Sequence, residues 1–280
     1  MSNLLRRTLT GIWIVLFVLG GFWFHPVSFF LTGLVILAGS QYEYYKLIRT
    51  TGSKPQAIAG IVAGILLYTL STLVAAGVLS SRYLLAVIPL SLFIMTAEIY
   101  RRNEKPFDAL AHTFFPLIYS VLPFCLFPFA AFSREGIPSL VASPGISFSP
   151  GIVIGFFILL WTCDTAAYLT GITIGRRRLL ERISPKKSWE GFFGGLIVTA
   201  VVAWFISGWL GVVSGMEWVV ISLIISVAGT FGDLAESMLK RSLGVKDSGT
   251  IMPGHGGFLD RFDSTMFAFP LVYLFIILVG

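Results

Sequence analysis

The sequence predicts an all-α fold, a polytopic integral membrane bundle of about nine transmembrane helices with a cytoplasmic amino terminus and an external carboxyl terminus. Three observations predict it. Of the 280 residues, 56% are hydrophobic and 12% charged, against about 25% charged in a soluble domain, and the mean hydropathy is +0.86. The apolar residues arrive in runs long enough to cross about 30 Å of hydrocarbon, which takes about 20 residues of helix. The basic residues alternate with those runs. With the amino terminus inside, every Lys and Arg except Arg82 and Arg134 falls in an inside loop, as the positive-inside rule demands; eight spans would break that alternation.

The first run, near 8–24, lacks a small-residue cleavage site and is followed by further runs, so it is expected to stay in the mature chain. Only His25 and Pro26 divide it from the second, 26–48, and the two read either as a tight helical hairpin or as one re-entrant element. Runs near 57–80, 83–100 and 107–132 complete an amino-terminal part, 1–132, suited to packing, dimerisation or lipid entry. Residues 133–149, rich in Ser, Pro and Gly, read as an external linker. The last runs, near 150–174, 190–213, 217–240 and 264–280, belong to a carboxyl-terminal part, 150–280, expected to hold a polar cleft facing the cytoplasm. The spacings Gly60 to Gly64, Gly171 to Gly175, Gly191 to Gly195 and Gly211 to Gly215 suit close helix packing.

Several function classes are disfavoured. The formal charge of +6 follows from the basic inside loops and from attraction to anionic lipid heads, so nucleic acid is not an expected partner. Cys125 and Cys163 lie within spans, which supports neither a disulfide framework nor a zinc site. The histidines have no metal-ligand spacing, and there is no G-x-x-x-x-G-K-[ST] phosphate loop.

Charge is concentrated from the cytoplasmic end of the eighth run onward. Asp233, Glu236, Ser237 and Lys240 stand at i, i+3, i+4 and i+7, one helical face at a cytoplasmic end. A carboxylate at membrane depth costs about 2.5 to 3.5 kcal/mol on insertion scales, so Asp233 and Glu236 call for a partner. Asp260 and Asp263, three residues apart, face one point if they share a first helical turn. With Asp233 they offer three hard oxygen ligands, the chemistry of Mg²⁺. Lys240, Arg241, Lys246, Arg261 and the glycine-rich turn around His255 and Gly256 supply phosphate donors. An earlier inside loop adds Arg176, Arg177, Arg178, Arg182, Ser184, Lys186, Lys187 and Ser188, which also read as a topogenic anchor.

Other readings stay open at single residues. Asp164 is a metal ligand, a nucleotide contact or half of a helix-locking ion pair. Asp247 either takes part in chemistry or clamps its loop to Lys246 or Arg241. Glu236 and Lys240 either bind substrate or form a plain i, i+4 pair. Glu43 and Glu98, near inside ends of spans, are expected in solvated ion pairs. The intramembrane acids also fit an ion-coupled transporter, although no inverted repeat accompanies them.

Residues 237–263, read as S-M-L-K-R, then K-D-S-G, then P-G-H-G-G-F-L-D-R-F-D, resemble the carboxyl-terminal motif of phosphatidate cytidylyltransferases, also called CDP-diacylglycerol synthases. S-P-K-K-S-W-E-G at 184–191 and D-T-A-A-Y at 164–168 are similar to the same family; together the three cover about the last 120 residues, and Met252 is a small apolar departure. The resemblance implies transfer of a cytidylyl group from CTP to phosphatidic acid, with CDP-diacylglycerol and pyrophosphate as products. It also implies Mg²⁺, K⁺ as a second cation, a homodimer among membrane lipids, and a place in the cell's cytoplasmic membrane. On this reading Asp233, Asp260 and Asp263 hold metal, and Lys246, Asp247 and Arg261 join them in catalysis. Asp164, Ser184, Lys186, Lys187, Ser188, Glu236, Lys240, Arg241, His255 and Gly256 bind substrate. A CTP-dependent lipid kinase is the competing enzyme reading.

Overall fold

The computed structural model describes residues 3–134, 137–138, 147–245, 248–249 and 256–279. It begins with α1 (Asn3–Trp23), α2 (Pro26–Arg49), α3 (Ala57–Ala75), α4 (Val87–Tyr100), α5 (Pro106–Pro116) and α6 (Leu122–Ala131). Short strands β1 (Phe132–Arg134), β2 (Ile137–Pro138) and β3 (Ser147–Phe148) follow, then α7 (Gly151–Ile174). Strands β4 (Arg178–Leu180) and β5 (Ser184–Ser188) lead into α8 (Trp189–Leu210), α9 (Gly215–Ser242) and α10 (Leu259–Val279). A 3-10 turn, Ser81–Ala86, runs into α4, and a π turn, Leu117–Val121, joins α5 to α6.

All nine apolar runs fall on helix. Among the described residues, seven helical stretches are long and apolar enough to cross a membrane: Ala57–Ala75, Ser81–Tyr100, Pro106–Ala131, α7, α8, α9 and α10. α2 is long enough but carries Gln41, Glu43, Lys46 and Arg49, and in α1 the apolar described stretch is Thr10–Trp23. The outer face of α8 explains the composition: Phe193, Ile197, Val201, Trp204, Phe205 and Trp209 are all exposed. Such a surface is stable against hydrocarbon and not against water. The chain is an all-α integral membrane protein.

The chain forms two compact units, Met1–Phe148 with Asp247–Phe262, and Ser149–Lys246 with Asp263–Gly280. In the first, α1 and α2 are separate helices that fold back on each other. His25 ends one and caps the next, its Nδ1 accepting from Val27 N–H at 3.1 Å, and Phe22 meets Phe29 at 4.9 Å. The short linkage is therefore a hairpin. α3 lies close on α2 because Gly60 and Gly64 face Tyr45 and Gln41; the Tyr45 hydroxyl donates to Thr113 O at 2.8 Å and Gln41 Nε2 to Gly60 O at 3.1 Å. Each such bond adds about 1 kcal/mol net, and leaving it unmade in a buried site costs more.

In the second unit, α7, α8 and α9 pack on one another, and Gly191 and Gly195 rest against Ala167 and Cys163 of α7. Gly211 departs from the packing expectation. It has nothing within 4 Å, and its φ of +60° makes it the left-handed cap of α8, with its N–H donating to Ser207 O at 3.0 Å. The strands are also additions to an all-helical expectation. β1 pairs antiparallel with β2 and β3 in the linker region. β4 and β5 pair Arg178 with Ser188 and Leu180 with Ser184, a hairpin that follows because Pro185 cannot donate to a helical ladder.

Candidate active site

In the second unit, the sequence of α9 brings its acids to a defined place. Ser214 and Glu217 form a reciprocal capping box, with Glu217 Oε2 accepting from Ser214 N–H at 2.6 Å. The helix runs 28 residues, about 42 Å at 1.5 Å per residue. It meets α10 at Gly232, where a Cβ would stand 2.8 Å from Asp263 O and 2.9 Å from Ser264 Cα. This contact brings the Asp233 segment of α9 close to Asp263 of α10. Lys187 Nζ lies 2.7 Å from Asp233 Oδ2, and Ser237 Oγ donates to Asp233 Oδ1 at 3.2 Å. Asp263 is 8% exposed, accepts from Ser264 N–H at 2.6 Å, and stands in the field of Asp233, Asp164 and Lys187. Asp164, Asp233 and Asp263 thus share one electrostatic neighbourhood with the amine of Lys187.

The β4–β5 hairpin holds Lys187 there. The next residue, Ser188, is buried and caps α8, its Oγ accepting from Gly191 N–H at 3.1 Å. Glu190 accepts from Arg176 N–H at 3.0 Å and Arg177 N–H at 3.2 Å, and Trp189 N–H donates to Arg177 O at 2.9 Å. The loop after α7 is thereby clasped to the start of α8. Ser188→Ala should lower stability by about 1 kcal/mol, as the loss of a helix cap does, while Ser188→Asn should hold it. Thermal unfolding in detergent reads both, and an unchanged midpoint for the alanine variant would remove the capping role.

In the first unit, Asp260 organises the turn before α10. Its carboxylate accepts from Ser248 N–H at 3.1 and 3.3 Å and from Gly257 N–H at 3.0 Å. Gly256, at φ +83°, faces the same group, and a Cβ there would lie 2.6 Å from Asp260 Oδ2. Only glycine adopts that backbone without strain so near a carboxylate. Glu43 is the residue that sequence reasoning misplaced. It is 1% exposed rather than solvated, and Leu259 N–H donates to its Oε2 at 2.9 Å. Glu98 also corrects the expectation of a solvated pair. It does pair with Arg101 at 2.7 Å, but is 3% exposed, and Gln56 and Asn103 donate to it as well.

The other candidates are placed as follows. Lys240 Nζ and Glu236 Oε2 form an i, i+4 pair at 2.5 Å, with Glu236 buried. Arg241 is exposed on the last turn of α9, and Lys186 and Arg261 are exposed as well. Ser184 is half-buried at the start of β5, and Asp164 is exposed on α7. Lys246, Asp247 and His255 lie outside the described residues. Among the described residues, no group of three His, Cys, Asp or Glu side chains is gathered closely enough to hold a metal ion unaided. Mg²⁺ does not need such a cage, since it binds through one or two carboxylates and completes its shell with water and phosphate oxygens. Asp233 and Asp263 fit that demand. Both are hard oxygen donors, and Asp263 stands in the field of the further acid Asp164.

The chain matches the family described as the Cytidylyltransferase family over residues 5–279. It is similar to a phosphatidate cytidylyltransferase of Staphylococcus aureus (strain COL), 42% identical over 185 residues, covering 60% of this chain and 68% of that protein. A protein of the same name from Staphylococcus haemolyticus (strain JCSC1435) is 41% identical over 185 residues, with the same coverage. Another, from Staphylococcus epidermidis (strain ATCC 12228 / FDA PCI 1200), is 39% identical over 181 residues, again with 60% and 68% covered.

Proposed function

The chain belongs to the cytidylyltransferase family, and from that premise we propose that it transfers the cytidylyl group of CTP to phosphatidic acid, giving CDP-diacylglycerol for phospholipid synthesis. A phosphate oxygen of phosphatidate attacks the α-phosphorus of CTP and forms the new P–O bond. The bond from that phosphorus to the oxygen bridging the β-phosphate breaks, and the oxygen keeps the electron pair and departs with pyrophosphate. The nucleophile is already an oxyanion, so no strong base is required, and the barrier is the approach of two anions.

The observation that carries this reading is Asp263, a buried carboxylate among Asp233, Asp164 and the amine of Lys187. A cation site of this kind lowers a barrier made of phosphate charge. Asp233 and Asp263 would hold Mg²⁺, which supplies charge neutralisation to the transferring phosphate and the departing pyrophosphate. Asp260 stays in the proposal as a third ligand through the motif. A carboxylate has about four lone-pair sites, so its backbone bonds are compatible with that part. Lys186 and Lys187 would meet the phosphates, and Arg261, Lys246, Asp247 and His255 stay in the proposal through the motif alone. K⁺ as a second cation, a homodimer, and a site opening to both cytoplasm and bilayer complete it. CTP is soluble while both lipids stay in the membrane, and the basic loops favour an inside site.

The test supplies CTP labelled at the α-phosphate or at the γ-phosphate to the protein in micelles of detergent and phosphatidic acid. Label should enter lipid from the α position only, stop with a chelator, and resume with excess Mg²⁺. Label from the γ position only would establish a lipid kinase in its place.

A further inference from the structure

We propose that Glu43 of α2 is a positioning residue that presets the turn carrying Asp260; the inference rests on the reading of Asp260 above. Within the first unit, two carboxylates divide the donors of one turn between them. Ser248 gives its N–H to Asp260 and its hydroxyl to Glu43, the latter at 3.4 Å. Gly257 gives its N–H to Asp260, and two residues later Leu259 gives its N–H to Glu43 at 2.9 Å. The Leu259 amide opens α10 and has no partner earlier in that helix, as is general for a first-turn amide. Glu43 supplies one from 216 positions away in sequence.

The glycines of the motif are shaped around this carboxylate. A Cβ on Gly249 would lie 2.5 Å from Glu43 Oε1, and one on Gly257 would overlap Oε2. Phe258 is fixed beside them: it packs on Gly39 of α2, where a Cβ would come within 2.7 Å of its ring, and stacks with Phe262. A carboxylate that is 1% exposed carries a large desolvation cost. The acceptor it provides to the backbone is what offsets that cost. The bonds from Ser248 Oγ and Leu259 N–H reach the same oxygen, Oε2, so a neutral amide oxygen in its place can accept them both.

The last point separates positioning from direct charge chemistry. Glu43→Ala should lower kcat about a hundredfold, the scale on which a misplacement near 1 Å acts, and leave KM for CTP within about threefold. Glu43→Gln should retain kcat within about tenfold of the native protein. In the absence of nucleotide and added metal, hydrogen exchange of the 256–262 segment should accelerate at least about tenfold in the alanine variant and little in the glutamine variant. Unchanged exchange or native kcat in Glu43→Ala would overturn the proposal, and so would a Glu43→Gln variant as inactive as the alanine form. Should Glu43→Ala fail to fold, Gly257→Ala, whose methyl displaces the carboxylate without deleting it, is read by the same two measurements, and native values there would overturn the proposal equally. Asp260→Asn serves separately. Native activity in that variant would remove the reading of Asp260, whereas accelerated exchange in Glu43→Ala would still establish the clamp.

Discussion

Asp263→Asn should lower cytidylyl transfer about a thousandfold while leaving the protein as stable as before or more so. Asparagine keeps the size of the side chain and an oxygen that can accept from Ser264 N–H, a bond of 2.6 Å in the native chain. It removes a charge that faces Asp233 and Asp164. Like charges brought together in a half-dry place repel, so folding gains when one of them is neutralised, and residues kept for activity against stability show this signature. The activity falls because a neutral oxygen is a poor ligand for a divalent ion and offers little to a site whose task is charge neutralisation. Transfer of α-label to lipid and the thermal midpoint in the same detergent give the two readings. Activity within tenfold of native would take Asp263 out of the site.

Gly232→Ala should cost about a hundredfold in activity although it removes no charged or polar group. The added methyl would meet Asp263 O at 2.8 Å and Ser264 Cα at 2.9 Å. These are backbone atoms that cannot rotate aside, so α9 and α10 must separate, and overpacking of this kind costs about 1 to 3 kcal/mol. The separation moves Asp233 relative to Asp263, and displacements of about 1 Å cost catalysts about a hundredfold. Gly208→Ala is the matched control. Nothing lies within 4 Å of Gly208 in α8, so activity should be native and helix stability should rise by up to about 1 kcal/mol. A fully active Gly232→Ala protein would show that the approach of the two helices is not what sets the site.

The helices were legible because each run of apolar residues must satisfy its own backbone within the membrane, and a helix does so locally. The i, i+4 reading of Glu236 with Lys240 came through for the same reason, since both partners lie on one turn of α9. The β4–β5 hairpin was not legible. Its residues, R-L-L and S-P-K-K-S, are mostly exposed or half-exposed, with no alternation of apolar positions to announce a strand. Gly211 was misread because a spacing of four suits packing, whereas its conformation is set by the end of α8. Glu43 lay furthest out of reach. Its partners are more than 200 positions away, and no local pattern tells a carboxylate that meets water from one that meets the start of a distant helix.

If Asp233 holds metal and Lys187 meets nucleotide as proposed, their ion pair would make the two ligands interdependent. In the resting protein the amine acts as counter-ion to the acid at 2.7 Å, and it cannot hold that place and meet a phosphate at once. On the proposed reading, a cation engaging Asp233 would release the lysine toward an incoming triphosphate, and a triphosphate drawing the lysine away would leave the acid open to a cation. Each binding would then strengthen the other, and thermodynamic reciprocity requires the factor to be the same in both directions.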